Sequence, residues 1–370
     1  MITDELRALH ARAASSSEPR STSKSLFLTA AWGPAVPAAH AGTTPPRFDD
    51  GFGITVTRQP AWVDAEERTF TFTVRSDQVP AYTVLPGQVS GEHVIMVTLP
   101  AGYDSTAAAR YPVHYTLHGA PEYPNASRTK RIVEQATAAV PLITVTPNGG
   151  GRGWYSNWVN PGALGPQNWQ FFHLDQLIPL IDTNLKTIPT RQGRAISGHS
   201  MGGFGAFRYA EHRPDLFSYV GSFSGDLDLV NPEIRAAVVA STQLESYGVP
   251  IVPIDAIFGL PVWPLDGVWN AQSPAQHVAS LRGMGVAMYT GDGGNLLDDP
   301  VQAVAENRVR QTALVTAANL TAAGIPHHFI DYHDGSTWAP GCTGKHSQEP
   351  CLQADMNHFV RLIMQQLQNP

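Results

Sequence analysis

The 370-residue chain has little charge, few cysteines and no long apolar run. Only 15% of its residues are Asp, Glu, Lys or Arg, and 31 acidic residues stand against 24 basic ones. This balance leaves no basic patch for nucleic acid. No stretch reaches the roughly 20 apolar residues that a membrane helix requires. We therefore expect neither a nucleic-acid-binding protein nor a transmembrane segment.

The two cysteines, Cys342 and Cys351, lie near the C-terminus with mostly polar residues between them. Such a pair predicts either a local disulfide in an oxidising compartment or two free thiols in the cytosol. The N-terminus favours the disulfide, because a mild apolar run at 25–32 precedes an Ala-His-Ala cleavage pattern at 39–41. We interpret residues 1–41 as an export signal, with a disordered extension as the alternative. Residues 42–370 are then a single domain of a secreted or cell-envelope protein.

The residue pattern changes near Pro112. Before it, runs at 53–57, 69–74 and 93–99 indicate antiparallel strands. After it, short apolar strands alternate with helical segments, which predicts an α/β fold with a mostly parallel sheet and helices on both faces. The predicted strands are 113–117, 142–146, 193–197, 219–222, 286–290 and 327–332, and the predicted helices are 128–139, 168–186, 201–212, 274–282, 301–323 and 353–368. The stretch 225–272 has little periodicity and is expected to cross the sheet edge or the site.

The segment GHSMGG at 198–203 stands between a predicted strand and a predicted helix. This is the G-x-S-x-G nucleophile elbow in the strand–turn–helix setting that it requires. Side chains at Gly198 and Gly202 would collide with the neighbouring strand and helix. The pattern predicts Ser200 as a nucleophile at a helix N-terminus, where the helix dipole favours developing negative charge. His199 is expected to point away from Ser200 into packing.

A serine that attacks a carbonyl needs two hydrogen-bond donors for the oxyanion. One is expected to be the backbone N–H of Met201, the residue after the nucleophile. The second is expected in the loop after an earlier strand, here HGAP at 118–121. Pro121 has no N–H, so the expected donor is Ala120. The alternative is an ordinary strand-ending turn.

Three histidines follow the last predicted strands: His333, His346 and His358. His333 stands too close to the strand end, and His358 falls within the final predicted helix. His346 lies in the loop before that helix, between the two cysteines, where an imidazole can reach over the sheet to the nucleophile. We therefore expect His346 to be the general base, held in place by the bracketing disulfide.

The acid of the expected triad has two candidates. Asp292 ends the predicted strand 286–290, the position that simple geometry favours, although it also suits a turn-forming residue. Glu306 lies on the following predicted helix, where a glutamate is usually a solvated surface residue. The residue pattern alone leaves both candidates open.

From about residue 93 to the end, the chain resembles the esterase D-like hydrolases and, within them, the secreted mycolyltransferases of mycolate-containing actinobacteria. The resemblance rests on LHG at 117–119, WYSNW at 154–158, QNW at 167–169, GHSMGG at 198–203, WNAQSP at 269–274 and GKHS at 344–347. It implies an α/β-hydrolase fold and ester chemistry, and it places the acid on the helical Glu306 rather than on Asp292. Mycolyltransferases usually have Leu where His199 stands, and their sugar-binding loop does not match residues 120–125.

The favoured hypothesis is a serine carboxylic ester hydrolase that forms an acyl-enzyme on Ser200 and acts on a small-molecule or lipid ester. An acyltransferase with a sugar or glycerol acceptor uses the same residues and is the first alternative. A non-catalytic cell-wall-binding protein is the second. The sequence has no metal-ligand spacing and no dinucleotide fingerprint, so we expect no metal and no cofactor.

Overall fold

A computed structural model describes residues 44–82, 84–243 and 251–368, which belong to one compact unit. The predicted export segment 1–41 lies outside the described residues and stays a prediction. Within the described residues, no helix is both long and apolar enough to cross a membrane.

The described residues form one nine-stranded sheet in the order β1-β2-β3-β5-β4-β6-β7-β8-β9. The strands are β1 Ile54–Trp62, β2 Thr69–Ser76, β3 His93–Thr98, β4 Val113–Leu117, β5 Ile143–Pro147, β6 Arg194–His199, β7 Tyr219–Phe223, β8 Gly285–Thr290 and β9 His328–Asp331. The pairs along β1-β2-β3-β5 are antiparallel, and all later pairs are parallel. The predicted mostly parallel α/β-hydrolase sheet with an antiparallel N-terminal part is therefore confirmed.

Helices cover both faces of the sheet, as predicted. The α-helices are α1 Ser127–Ala136, α2 Trp169–Phe171, α3 Ile178–Asn184, α4 Met201–His212, α5 Pro232–Gln243, α6 Gly267–Ala271, α7 Pro274–His277, α8 Pro300–Ala322 and α9 Glu349–Gln366. A π-helical turn, Phe172–Leu177, joins α2 to α3. One apolar cluster packs α3, α4 and α8 against one face, and a second packs α1 and α9 against the other. Every residue of β4, β6 and β7 is buried, because both faces of these strands are covered.

The main departure from prediction is α5, which lies in the stretch 225–272 that shows little periodicity. Its run of small and β-branched apolar residues, AAVVA at 236–240, leaves no polar stripe to reveal the helical period. The start signal is nevertheless present: Asn231 Oδ1 accepts hydrogen bonds from the N–H groups of Glu233 and Ile234, and Pro232 follows it. This helix forms one wall of the candidate site.

Parallel pairing fixes where that site lies. Leu117 at the end of β4 pairs with Gly198, and His199 at the end of β6 pairs with Phe223 at the end of β7. The loops that leave β4, β6, β7 and β8 therefore meet at one edge of the sheet. Ligand sites of open α/β sheets lie at this carboxyl edge.

Candidate active site

Ser200 lies in the sharp turn between β6 and α4, with φ 55° and ψ −122°. A side chain at positive φ is strained, and such strain is typical of functional turns. The turn is fixed by a hydrogen bond from the Ser200 N–H to the Phe223 carbonyl, 2.9 Å long. The elbow geometry therefore presents the serine side chain at the carboxyl edge of the sheet.

Two glycines allow this turn to pack. A Cβ on Gly198 would lie 2.3 Å from the Gly202 backbone, and one on Gly202 would lie 2.1 Å from the Leu117 carbonyl oxygen. Both distances are far below van der Waals contact and involve backbone atoms that cannot move aside. The expected collision with the neighbouring strand and helix is thus present at both positions.

His346 connects Ser200 to Glu306. The Nε2 atom of His346 lies 2.9 Å from Ser200 Oγ, and its Nδ1 atom lies 2.8 Å from Glu306 Oε2. A carboxylate only accepts, so Nδ1 carries the hydrogen and leaves Nε2 free to accept the Ser200 proton. The three residues form a continuous serine–histidine–carboxylate chain of hydrogen bonds.

Glu306 is fully buried on α8, and polar groups surround its second oxygen. Its Oε1 atom accepts hydrogen bonds from Ser224 Oγ at 2.8 Å, Thr290 Oγ1 at 2.9 Å and the Gly291 N–H at 2.7 Å. A buried carboxylate needs such donors, because an unpaired buried charge is costly. Ser224 and Thr290 are site residues that the sequence reasoning missed, although each stands at or just after a strand end.

The other acid candidate and the other histidines lie elsewhere. Asp292 Oδ1 accepts the Gly294 N–H within its own turn, and its other oxygen faces the exposed His333 at 3.9 Å. His358 lies on α9, where its Nδ1 atom is 2.8 Å from Tyr289 Oη. The structure therefore brings Glu306, and not Asp292, to His346.

Burial lowers the pKa of His346, but the hydrogen bond and charge of Glu306, together with the charge of Asp226, outweigh burial and raise the pKa above its ordinary value. Each carboxylate favours the imidazolium over the neutral ring. An imidazolium that forms beside Glu306 is therefore stabilised in this site.

Ala120 and Met201, the two expected oxyanion donors, line the same cavity as Ser200 and His346. Met201 opens α4, where backbone N–H groups have no partner inside the helix. The loop that carries Ala120 is held by His118. The Gly149 N–H donates to His118 Nε2 at 2.8 Å, so His118 Nδ1 donates to the Gly119 carbonyl at 2.8 Å.

A second network joins the Ala120 loop to the His346 loop. Glu122 accepts the Gly119 N–H and forms an ion pair with Arg128. Arg128 in turn donates to the Ser347 carbonyl oxygen at 2.6 Å. These contacts hold the two loops on either side of Ser200 in a fixed relation.

His199 packs against the loop that carries His346. It is buried, its Nε2 atom lies 3.2 Å from Ser347 Oγ, and its ring lies 5.1 Å from the His346 ring. Burial first, and then the positive charges of His346 and Arg128, lower its pKa well below the ordinary value, so the ring is neutral. As expected, it points into packing, but what it packs against is the His346 ring.

Ser200 opens into a cavity of about 780 Å³ between α5 and α8. Its walls are mostly apolar, and its polar lining includes Asp226, Glu233 and Arg308. The apolar lining residues of the two helices are Ile234, Ala237, Pro300, Val301, Val304, Ala305 and Val309. A cavity of this size can hold a small-molecule ligand.

Cys342 and Cys351 are joined by the predicted disulfide, which brackets His346. Cys351 lies on α9, and Cys342 lies in the loop before it. The loop also docks onto the β8–α8 connection, because the Gly293 N–H donates to the Gly344 carbonyl at 2.9 Å. The imidazole is thus carried by a loop that is fixed at several points.

Among the described residues, one group of acidic side chains could hold a cation: Asp64, Glu66 and Glu134. Lys130 already forms ion pairs with Asp64 and Glu134. The group lies on the β1–β2 connection and on α1, and it includes none of the residues around Ser200.

The fold and this site define an α/β hydrolase. Residues 88–356 match the family model Esterase, described as "Putative esterase". The chain therefore belongs to the Esterase family.

Known relatives agree with this class. Esterase MT1326 and Esterase Rv1288, from two strains of Mycobacterium tuberculosis, are each 32% identical over 301 residues. The match covers 79% of this chain but only 60% of each relative. Diacylglycerol acyltransferase/mycolyltransferase Ag85A of Mycobacterium leprae is 31% identical over 160 residues, which are 41% of this chain and 45% of that protein.

Solved structures support the same fold. A ferulic acid esterase superposes with a TM-score of 0.55 at 21% identity, covering 81% of this chain and 98% of that one. MPT51 of Mycobacterium tuberculosis superposes with a TM-score of 0.57 at 20% identity, covering 77% and 97%. At these identities the likeness shows the fold alone, and the predicted resemblance to the esterase and mycolyltransferase group rests on the sequence matches.

Proposed function

We propose that this chain is a serine carboxylic ester hydrolase with Ser200 as nucleophile, His346 as general base and Glu306 as the acid that orients it. The observation that carries the proposal is the unbroken hydrogen-bonded chain from Ser200 Oγ through His346 to Glu306, beside a large apolar cavity. Membership of the Esterase family supports the reaction class.

In the first half-reaction, Ser200 Oγ attacks the ester carbonyl carbon while His346 Nε2 takes the hydroxyl proton. The carbonyl oxygen becomes an oxyanion, and the backbone N–H groups of Ala120 and Met201 are its proposed donors. The tetrahedral intermediate collapses, the bond to the alcohol oxygen breaks, and His346 returns the proton to that oxygen. The alcohol leaves, and the acyl group stays on Ser200.

In the second half-reaction, water gives its proton to His346 and attacks the acyl carbonyl. The carboxylic acid leaves, and the proton returns to Ser200. Glu306 keeps its charge throughout and stabilises the imidazolium that forms twice per cycle. The apolar walls of α5 and α8 suit a hydrophobic acyl group, so we propose a lipid or aromatic ester as substrate.

An acyltransferase is the second candidate, favoured by the match to Ag85A of Mycobacterium leprae, a diacylglycerol acyltransferase/mycolyltransferase. It differs only in the second half-reaction, where an alcohol hydroxyl replaces water.

Trapping the acyl-enzyme tests the proposal and separates the two candidates. After acid quench of turnover with p-nitrophenyl butyrate, we expect the butyryl group on the peptide that contains Ser200, as read by mass spectrometry. Adding glycerol or trehalose then partitions the acyl group between butyrate and a new ester. A hydrolase gives mainly butyrate, and a transferase gives mainly the new ester. Turnover without acylated Ser200 would contradict the serine mechanism.

We also propose that the protein is exported, with residues 1–41 as its signal. The Cys342–Cys351 disulfide supports this location, because disulfides persist in oxidising compartments.

Opening the disulfide is expected to loosen the His346 loop. A Cys342→Ser/Cys351→Ser double variant loses a short-loop cross-link worth roughly 2–3 kcal/mol by loop entropy. We expect a lower melting temperature and a lower kcat, both measured against wild type. Wild type treated with reductant should behave like the variant, while the variant itself should not respond to reductant. Unchanged kcat and melting temperature in both would contradict the role given to the bridge.

A further inference from the structure

Asp226 is a carboxylate in the cavity beside Ser200 that the mechanism above does not use. It follows the end of β7 by three residues, two after the Ser224 that donates to Glu306. Its side chain lines the cavity together with Ser200 and His346. Within the described parts of the chain, no hydrogen bond or ion pair joins this carboxylate to another side chain or to the backbone.

The other carboxylates near Asp226 or in the cavity lining already have partners. Glu306 is saturated by four donors, including His346. Glu233 and Arg308 form an ion pair with each other across α5 and α8. Burial raises the pKa of Asp226 to about 6, with the charge of His346 lowering it and that of Glu306 raising it. At neutral pH the group is therefore mostly ionised, without a partner, between apolar walls.

Asp226 is partly exposed to the cavity, and a molecule that fills the cavity removes the water around its carboxylate, which is costly if no donor replaces that water. A bound molecule that brings a hydrogen-bond donor removes that cost. A molecule that has only apolar groups at this point leaves the carboxylate without a donor and binds less well. The carboxylate thus discriminates between ligands by their donors.

The position of Asp226 relative to His346 indicates which part of the ester it meets. His346 Nε2 returns its proton to the leaving alcohol oxygen, so the alcohol passes beside the imidazole. Asp226 lines the same cavity as His346 and Ser200, and its charge also helps to raise the pKa of this imidazole. A group close to both His346 and Asp226 lies on the alcohol side of the scissile bond.

We propose that Asp226 is a specificity-determining residue that binds a hydroxyl or ammonium group on the alcohol part of the substrate. This assignment rests on the proposed serine esterase function. The preferred substrates are then esters of alcohols that carry a second hydrogen-bond donor near the ester oxygen. Because an incoming acceptor occupies the place of the leaving alcohol, the same contact favours a polyol over a plain alcohol as acceptor.

The test compares three butyrate esters that differ only at the end of the alcohol. Propyl butyrate has a methyl group there, 2-hydroxyethyl butyrate has a hydroxyl, and 2-(dimethylamino)ethyl butyrate has a protonated amine at neutral pH. The readout is the kcat/KM of each donor ester divided by that of propyl butyrate. For Asp226→Leu we expect this ratio to fall by about ten- to hundredfold, the range of a hydrogen bond to a charged group.

Asp226→Asn keeps the shape of the side chain and removes its charge. It should lower the ratio for the amine ester more than for the hydroxyl ester, which distinguishes the two donor types. Asp292→Asn is the control, because it removes a carboxylate that faces His333 and does not line the cavity, and its ratio should stay at the wild-type value. An unchanged ratio in the Asp226 variants would overturn the proposal. If kcat/KM falls equally for all three esters, Asp226 acts through His346 and does not bind the alcohol. Turnover of propyl butyrate by wild type reports separately on the esterase function.

Discussion

Replacing Ser200 by alanine is expected to lower kcat for p-nitrophenyl butyrate by a factor on the order of a million. The hydroxyl oxygen is the atom that bonds to the acyl carbon, and no neighbouring side chain can take its place. His346 lies 2.9 Å from Ser200 Oγ and would lose the group from which it takes a proton. Only the slow reaction supported by substrate binding and the oxyanion donors remains. Steady-state turnover with purified protein measures the effect, and wild-type-like turnover would refute the proposal.

Two further variants separate chemistry from folding. Ser218→Ala makes the same chemical change just before β7, where the Ser218 hydroxyl donates to the Arg194 carbonyl, far from the candidate site, and it should retain activity. Ser200→Gly should be as inactive as Ser200→Ala but more stable than wild type by about 1–2 kcal/mol, because glycine adopts positive φ without strain. Denaturant unfolding measures this difference. Lower stability of Ser200→Gly would contradict the strain assigned to the elbow.

The sequence predicted those parts of the site that depend on local pattern. Ser200 was recognisable because a strand, a tight glycine turn and a helix occur consecutively, and His346 because it lies in a loop after the last strand. Glu306 could not be recognised from local pattern, because a glutamate on a helix is usually an exposed surface residue. Nothing local distinguishes it from Asp292, and only the family resemblance favoured it.

What the sequence could not predict depends on contacts between distant segments. Arg128 meets the Ser347 carbonyl across 219 residues of chain, and Ser224 meets Glu306 across 82. The sequence did not indicate a role for Asp226 for the same reason, because that role depends on the cavity that it forms with the distant helices α5 and α8. The fold was easier to predict, because the alternation of strands and helices along the chain indicates a parallel sheet. Helix α5 was not predicted, because its sequence has no polar stripe with the helical period.

Glu306→Gln is expected to lower kcat by about ten-thousandfold, while Asp292→Asn changes it little. Three donors hold the Oε1 position, so the glutamine oxygen takes that place and its NH₂ group faces His346 Nδ1. Nδ1 must then accept, which moves the ring hydrogen to Nε2, where it blocks proton transfer from Ser200.

The pH profile gives a second, independent readout of Glu306. Only the neutral imidazole accepts the serine proton, so kcat/KM rises with pH through the pKa of His346. The raised pKa places this limb above the ordinary histidine value of about 6.5 in wild type. Without the charge of Glu306, burial dominates, and the residual activity of Glu306→Gln should show its limb at lower pH. Asp292→Asn should keep the wild-type limb, because its carboxylate faces His333 instead. A larger loss in Asp292→Asn, or an unmoved limb in Glu306→Gln, would mean that another group supports His346.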